Sequence, residues 1–389
     1  MTSVALEAPR TRLRLDRWEL GGAFADLGVL VPIAVALIVT NGLSPTAVLL
    51  PAGLLYVAAG LVYRLPVPVQ PLKAFGAIAI AQGLGVGEIA AGALLMGGIF
   101  LALGVTGLID LAARAFPQPL IRGVQLTVGL LFLEIAWGLV TDPPASFDRH
   151  GLPTVTLVLL ALLVLATLAL RRRVPIALAL VGIAVAAIVV TEGGSLALGP
   201  SPLELPSLDG AAFWAAFTVL VLPQLPLSFA NSCLATADAA RTYFGGAASR
   251  VKPGRLAATL GTANLFSGAI GGMPVCHGAG GLTAHYSFGA RTGGAPVVIG
   301  LTLAAAALGL GAGLAAALAA FPLPILAGLL AGAGVLHIGL LRDLGRGRGL
   351  ALAVAIGLLG FATNIAIGLG AGLALWWGAC GLAALRRRH

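Results

Sequence analysis

Leu65-Pro66-Val67-Pro68-Val69-Gln70-Pro71-Leu72-Lys73 is the stretch on which the fold turns. Each of its three prolines lacks an N–H and pushes the preceding residue towards extended geometry. The chain therefore runs extended to Gln70, and Pro71 suits the first position of a helix. The reading is a short strand, then a half-helix from Pro71 to about Gln82 with Lys73 in its first turn. About 206 residues later Gly271-Gly272-Met273-Pro274-Val275-Cys276-His277-Gly278 repeats the design, an extended run followed by a half-helix to about Phe288.

Around these stretches the chain is 389 residues long, 59% hydrophobic and only 10% charged. Soluble domains carry roughly 25% charged residues, so a soluble globular protein is excluded. At ~20 residues per crossing of a ~30 Å hydrocarbon layer, the apolar residues fill about eleven or twelve full spans. The 55 glycines and 23 prolines fit close helix packing and broken helices in a membrane. The formal charge of +9 sits at the ends of apolar runs and forms no basic face, so no nucleic-acid partner is expected. Cys233, Cys276 and Cys380 lack the spacing of a disulfide framework or a zinc site. Residues 1–17 read as a retained cytoplasmic segment with no signal peptide.

Apolar runs bounded by charge, Pro or Gly give fourteen segments. They are 18–40, 44–63, 71–83, 88–113, 119–140, 152–170 and 174–191, then 211–238, 255–271, 277–289, 293–319, 322–341, 349–367 and 369–385. With a cytoplasmic N-terminus and strict alternation, 21 of the 23 Lys and Arg fall inside. These include Arg10, Arg12, Arg14, Arg114, Arg171 to Arg173 and Arg386 to Arg388. Arg149 is left outside and Lys73 lies within a segment, while Glu88, Asp142, Asp148, Glu192, Glu204 and Asp209 occupy outer loops. This sorting is what the positive-inside rule demands. Both termini are then cytoplasmic, as expected of a multi-pass inner-membrane protein, and the arginine runs are membrane anchors or lipid-headgroup contacts.

Three landmarks share an offset of 205 or 206 residues. Ala23-Phe24-Ala25-Asp26 meets Ser228-Phe229-Ala230-Asn231, Pro68-Val69-Gln70 meets Pro274-Val275-Cys276, and Phe116-Pro117-Gln118-Pro119 meets Phe321-Pro322-Leu323-Pro324. Seven segments is an odd number, so the second repeat, 211–385, enters from the side opposite to the first, 18–191. Inverted repeats with broken helices in matching positions are the architecture of secondary transporters, whose site lies mid-membrane. The expected class is an all-α polytopic membrane protein of seven plus seven inverted segments, with short strands and half-helices at the third and tenth.

Two half-helix N-termini facing each other favour an anion, because each presents unpaired N–H groups and about half a positive charge. Lys73 is penalised both by that dipole and by the membrane, so it contacts a ligand, pairs with an acid or snorkels. Asp26 and its equivalent Asn231 sit in the first segments of their repeats; Asp26 is a partner for Lys73, a proton carrier or a backbone-bonded structural acid. Glu134 carries a proton, lines the pathway or bonds statically between helices. Gln224, between Pro223 and Pro226, offers its amide to the substrate or closes backbone bonds freed by the prolines. The expected substrate-binding set is Gln70, Pro71, Lys73, Cys276, His277, Gly278, Ala279, Gly280 and Gln224. His277 is read as an anion or backbone contact, and His285 and Tyr286 as packing. No carboxylate or cysteine set accompanies the histidines, so neither metal, cofactor nor catalysis is expected.

The motifs Gly22-Ala23-Phe24-Ala25-Asp26-Leu27-Gly28, Pro68-Val69-Gln70-Pro71-Leu72-Lys73-Ala74 and Pro274-Val275-Cys276-His277-Gly278-Ala279-Gly280-Gly281-Leu282-Thr283-Ala284-His285-Tyr286 resemble the molybdate transporter family related to the sulfate permeases. The third motif, continuing through Phe288 to Gly293, is long and specific. The resemblance implies import of molybdate, a tetrahedral dianion, by alternating access. It also implies core domains, 18–113 and 211–319, moving against gate domains, 119–191 and 322–385. Sulfate permeases commonly carry a regulatory domain after the last span; its absence before His389 favours the molybdate branch. A proton or sodium ion is the expected coupling partner, and a homodimer is compatible with the reading. Rival readings are a sulfate or other oxyanion carrier, a nucleobase or bicarbonate carrier of the same architecture, and an intramembrane enzyme.

Overall fold

The structure, a computed structural model, describes residues 13–24, 26–109, 111, 116–147, 153–170, 176–192, 197–203 and 205–386. Arg10, Arg12, Arg114, Asp148, Arg149, Arg171 to Arg173, Glu204, Arg387 and Arg388, on which the topology reading drew, lie outside them.

The first half contains α1 (Arg17–Ala23), α2 (Leu27–Val39), α3 (Pro45–Tyr63), β1 (Gln70–Pro71), α4 (Lys73–Ala81), α5 (Val86–Thr106), α6 (Gln118–Thr141), α7 (Thr154–Leu170) and α8 (Ile176–Glu192). The second begins with α9, a helical run over Gly210–Arg250 interrupted by π-helical turns at Ala216–Val221 and Ser228–Ala235. It continues with α10 (Pro253–Ala269), β2 (Val275–Cys276), α11 (Ala279–Ser287), α12 (Gly294–Ala319), α13 (Leu323–Gly339), α14 (Arg348–Ala362) and α15 (Ile365–Arg386). Among the described residues, seven helices are long and apolar enough to cross a membrane, or eight if α1 and α2 form one bent span. The chain is an all-helical polytopic membrane protein.

The half-helices begin later than the prolines suggested. Pro71 is held in β1 opposite Val275, and the Leu72 N–H donates to the Pro274 carbonyl at 3.1 Å, so helical geometry starts only at Lys73. In the second half, Cys276 pairs with Gln70 and Gly278 is fully extended, which delays α11 to Ala279. The two strands are antiparallel, so the two half-helices leave one small sheet from its opposite ends.

Helix packing depends on glycines seven residues apart, which fall on one helix face. A Cβ on Gly97 or Gly261 would approach the α10 or α5 backbone within 2.6 Å and 2.3 Å. Gly53 meets Gly300, and Gly60 meets Gly293, where α3 crosses α12. Such crossings are the membrane alternative to a hydrophobic drive between helices. α6 packs between α13 and α14, and α7 lies against α13.

Residues 205 or 206 positions apart touch at several points. Gln70 pairs with Cys276 across the sheet. Gly129 on α6 and Gly334 on α13 are so close that a Cβ on either would lie 2.8 Å or 2.7 Å from the other's carbonyl oxygen. One turn on, the Phe132 ring meets the edge of the His337 ring, centroids 5.8 Å apart.

Candidate functional site

The first four N–H groups of a helix have no acceptor within it. In α4, Gln224 of α9 supplies one, its Oε1 accepting from the Phe75 N–H at 3.0 Å while its Nε2 donates to Ser228 Oγ at 3.1 Å. Both ends of the Gln224 amide are therefore engaged, and it caps the half-helix instead of reaching a substrate. The Lys73 and Ala74 N–H groups remain at the open end. In α11 the Leu282 N–H returns to the Gly278 carbonyl at 3.1 Å, and the N–H groups of Ala279, Gly280 and Gly281 have no acceptor one turn back.

A polar chain runs between these two ends. Lys73 Nζ donates to Gln70 Oε1 at 2.5 Å, and Gln70 Nε2 donates to Asp26 Oδ2 at 2.5 Å. Asp26, Gln70 and Lys73 are all buried, and among the described residues Lys73 makes no ion pair. The partner expected for Lys73 is thus reached through an amide: Asp26 orients Gln70, and Gln70 orients the ammonium. Gln70 takes one of the three ammonium N–H groups, which leaves two for a ligand, while the Asp26 carboxylate acts on the Lys73 charge from beyond that amide.

The facing half-helix gives room. A Cβ on Gly278 would lie 2.3 Å from Gln70 Oε1 and 3.3 Å from Asn231 Nδ2; one on Gly281 would lie 2.5 Å from Asp26 Oδ2. A Cβ on Gly280, by contrast, would meet nothing within 4 Å, and this residue is exposed. The structure therefore brings together Asp26, Gln70, Lys73, Asn231 and the Gly278 to Gly281 backbone.

Other expected residues are placed elsewhere. His277 is fully buried, with Nδ1 2.9 Å from the Pro68 carbonyl and Nε2 3.0 Å from Thr259 Oγ1, so both nitrogens serve the scaffold and its side chain is no anion donor. The Cys276 thiol donates to the Pro71 carbonyl at 3.6 Å, and Pro71 itself belongs to the sheet. Glu134 is exposed on α6 and does not join the cluster.

Two supporting residues escaped the sequence reading. Asn264 grips both backbone groups of Val275, donating to its carbonyl at 2.9 Å and accepting from its N–H at 2.7 Å, which makes a two-residue strand tenable. Glu19 is buried and accepts from the N–H groups of Arg291, Thr292 and Ala295 at 2.9, 2.8 and 3.2 Å, capping α12 and fixing the end of α11. The only local signal for Glu19 is an acid three residues after the helix-capping Asp16.

The chain is similar to known proteins over most of its length. The family model described as "Molybdate transporter of MFS superfamily" matches residues 18–132 and 216–336, which include both half-helices. "Molybdate transporter 1" of Arabidopsis thaliana is 31% identical over 357 residues, covering 82% of this chain and 78% of that one. "Molybdate transporter 1" of Chlamydomonas reinhardtii is 28% identical, covering 97% and 95%. Among solved structures, the transmembrane domain of the cyanobacterium bicarbonate transporter BicA superposes with a TM-score of 0.64 at 18% identity, covering 92% of this chain and 98% of that one. Murine Solute Carrier 26 family member A9, an anion transporter in the inward-facing state, gives 0.68 at 14% identity, covering 95% and 69%. At such identities the structures share the fold alone. The family match over more than half the sequence carries the further step: this chain belongs to the molybdate transporter family, a family of membrane transporters and not of enzymes.

Proposed function

We propose that the chain imports molybdate as a secondary active transporter working by alternating access. The observation that carries this reading is the Asp26–Gln70–Lys73 chain ending between two half-helix N-termini. A tetrahedral dianion placed there accepts N–H groups from both half-helices and from the Lys73 ammonium at once. The names of the relatives, molybdate transporters at about 30% identity, select molybdate among such anions.

The finer architecture belongs to this proposal. Fourteen segments in two inverted sets of seven account for the antiparallel β1–β2 pairing and for the contact of residues 205 or 206 apart. The pairing α5 with α10 becomes the image of α12 with α3, and α6 with α14 the image of α13 with α7. Residues 18–113 and 211–319 would then form the core that carries the site, moving against a gate of 119–191 and 322–385. Both termini lie on the cytoplasmic side of an inner membrane. The inward path of a dianion against an interior-negative potential calls for a coupling cation.

The test is uptake of radiolabelled molybdate into proteoliposomes containing the full chain, with sulfate as competitor. Saturable molybdate uptake resisted by excess sulfate is the expected result. Sulfate uptake that molybdate does not compete with would overturn the substrate and leave a carrier of another oxyanion.

A further inference from the structure

His337, on α13, plays no part in the site described above. It is 8% exposed, its Nδ1 lies 2.8 Å from the Ala333 carbonyl one turn back, and the edge contact with Phe132 holds the ring. A carbonyl oxygen only accepts, so Nδ1 carries the hydrogen and, in the neutral ring, Nε2 presents its lone pair. Nε2 has no hydrogen-bond partner among the described residues. A nine-tenths-buried imidazole with one nitrogen pinned and the other open is a proton acceptor held in one orientation.

Its depth follows from the repeats. Phe132 and His337 are 205 residues apart, as are Gly129 and Gly334 beside them, and Gln70 and Cys276 are 206 apart. Residues that meet their own images lie on the axis relating the two repeats. For inverted repeats that axis runs in the membrane plane, through the site at mid-thickness. His337 therefore shares its level with β1, β2 and the half-helix N-termini, but on the opposite, gate side. Lys73 is near enough for its charge to act on the His337 ring.

The other charges around α13 do not compete. α2 and α7 carry no charged residue, and α8 carries only Glu192 at its far end. On α6, Arg122 is ten residues from Phe132, about 15 Å along the helix, and is paired with Asp343 of the turn after α13. Arg342 belongs to that same turn. Glu134 stands two residues after Phe132, about 200° around α6 and so on its other face. Asp26 acts on Lys73 through Gln70.

We propose that His337 carries the proton that accompanies the oxyanion. While the site is empty, burial of the ring and the Lys73 charge both oppose a second positive charge there, and Nε2 stays unprotonated. A dianion between the two offsets that repulsion, and Nε2 takes a proton from water on the entry side and donates the new N–H to an anion oxygen. When the anion leaves on the cytoplasmic side, the repulsion returns and the proton goes to water there. One proton thus travels with each dianion, and no other bond is made or broken. The inference rests on the reading of this site as an oxyanion site.

Titrating molybdate into the purified full chain near neutral pH, in buffers of differing ionisation enthalpy, reads the proton directly. The wild-type protein is expected to take up about one proton per bound anion, and H337Q to take up none. In proteoliposomes an inward proton gradient should raise wild-type molybdate accumulation about tenfold per pH unit, and H337Q should lose that dependence. H337F, which copies the Phe132 image and keeps an aromatic packing surface, should lose it too. A wild-type binding enthalpy that follows no buffer, or proton-driven accumulation surviving in both variants, would overturn the proposal. A wild-type protein that binds no molybdate at all would overturn the site reading beneath it, an outcome visible before any variant is made.

Discussion

The two half-helices occupy equivalent positions yet contribute opposite things. α4 brings side-chain chemistry: Lys73 at its first position, aligned by Gln70 from β1 and, behind it, by Asp26. α11 brings the lack of side chains: Gly278 and Gly281 are bare because Gln70 and Asp26 fill the space their Cβ atoms would need. Its one conspicuous polar group, His277, is tied into the scaffold by the Pro68 carbonyl and Thr259. In the proposed repeat the two copies differ as a charged half and a bare half, and the proposed anion would draw on both: on charge from one side and on backbone N–H groups from the other.

The sharpest way to break this division is Lys73→Gln. Removing one charge from a buried contact with an ion costs about 2–5 kcal/mol, so molybdate affinity measured by calorimetry should fall roughly a hundredfold. An unchanged affinity would remove Lys73 from the site. Next come Gly278→Ala and Gly281→Ala, whose methyl groups would lie 2.3 Å from Gln70 Oε1 and 2.5 Å from Asp26 Oδ2. Overpacking of this kind costs about 1–3 kcal/mol, and both variants should lose thermal stability in detergent together with molybdate binding. Thermal stability equal to wild type would show that the two halves do not press on each other there.

Gly280→Ala sharpens the comparison from the other direction. The new methyl group meets nothing, so helix propensity alone should make the fold about 0.5–1 kcal/mol more stable. That open space, beside N–H groups with no acceptor one turn back, is where the proposed site places the anion. Affinity should therefore fall by roughly tenfold, about 1.4 kcal/mol, while thermal stability holds or rises. Equal molybdate affinity in this variant would move the anion away from the second helix position of α11.

The breaks themselves were legible in the sequence because their causes are local. Pro66, Pro68, Pro71 and Pro274 favour extended backbone in the residues before them, and the shared offset is what pointed to a repeat. Side-chain roles were not legible where the deciding partner is distant in the chain. Gln224 finds Phe75 149 residues away, and His277 finds Pro68 at 209. Apolar runs this uniform have almost no amphipathic signal, so nothing told the inner face of α6 from the outer one. The bend between α1 and α2 near Asp26 also differs from the π-helical turn that holds Asn231, although the two residues are equivalent by offset.

Glu134 is the test with the smallest expected effect, and it weighs α6 against α13. Both helices carry an ionisable residue in their second half, but His337 faces the contact with Phe132 whereas Glu134 shares the exposed side of α6 with Trp137. Two residues along a helix amount to about 200° of rotation, so Glu134 and Phe132 cannot serve the same face. Exposed substitutions away from packed features stay within about 0.5 kcal/mol, close to twofold. Glu134→Gln should therefore leave both molybdate affinity and proton-driven accumulation within about twofold of wild type. A loss of more than about tenfold (1.4 kcal/mol) would put the coupled proton on the outer face of α6. That face would then have to open to water during transport, and the role assigned to His337 would pass to Glu134.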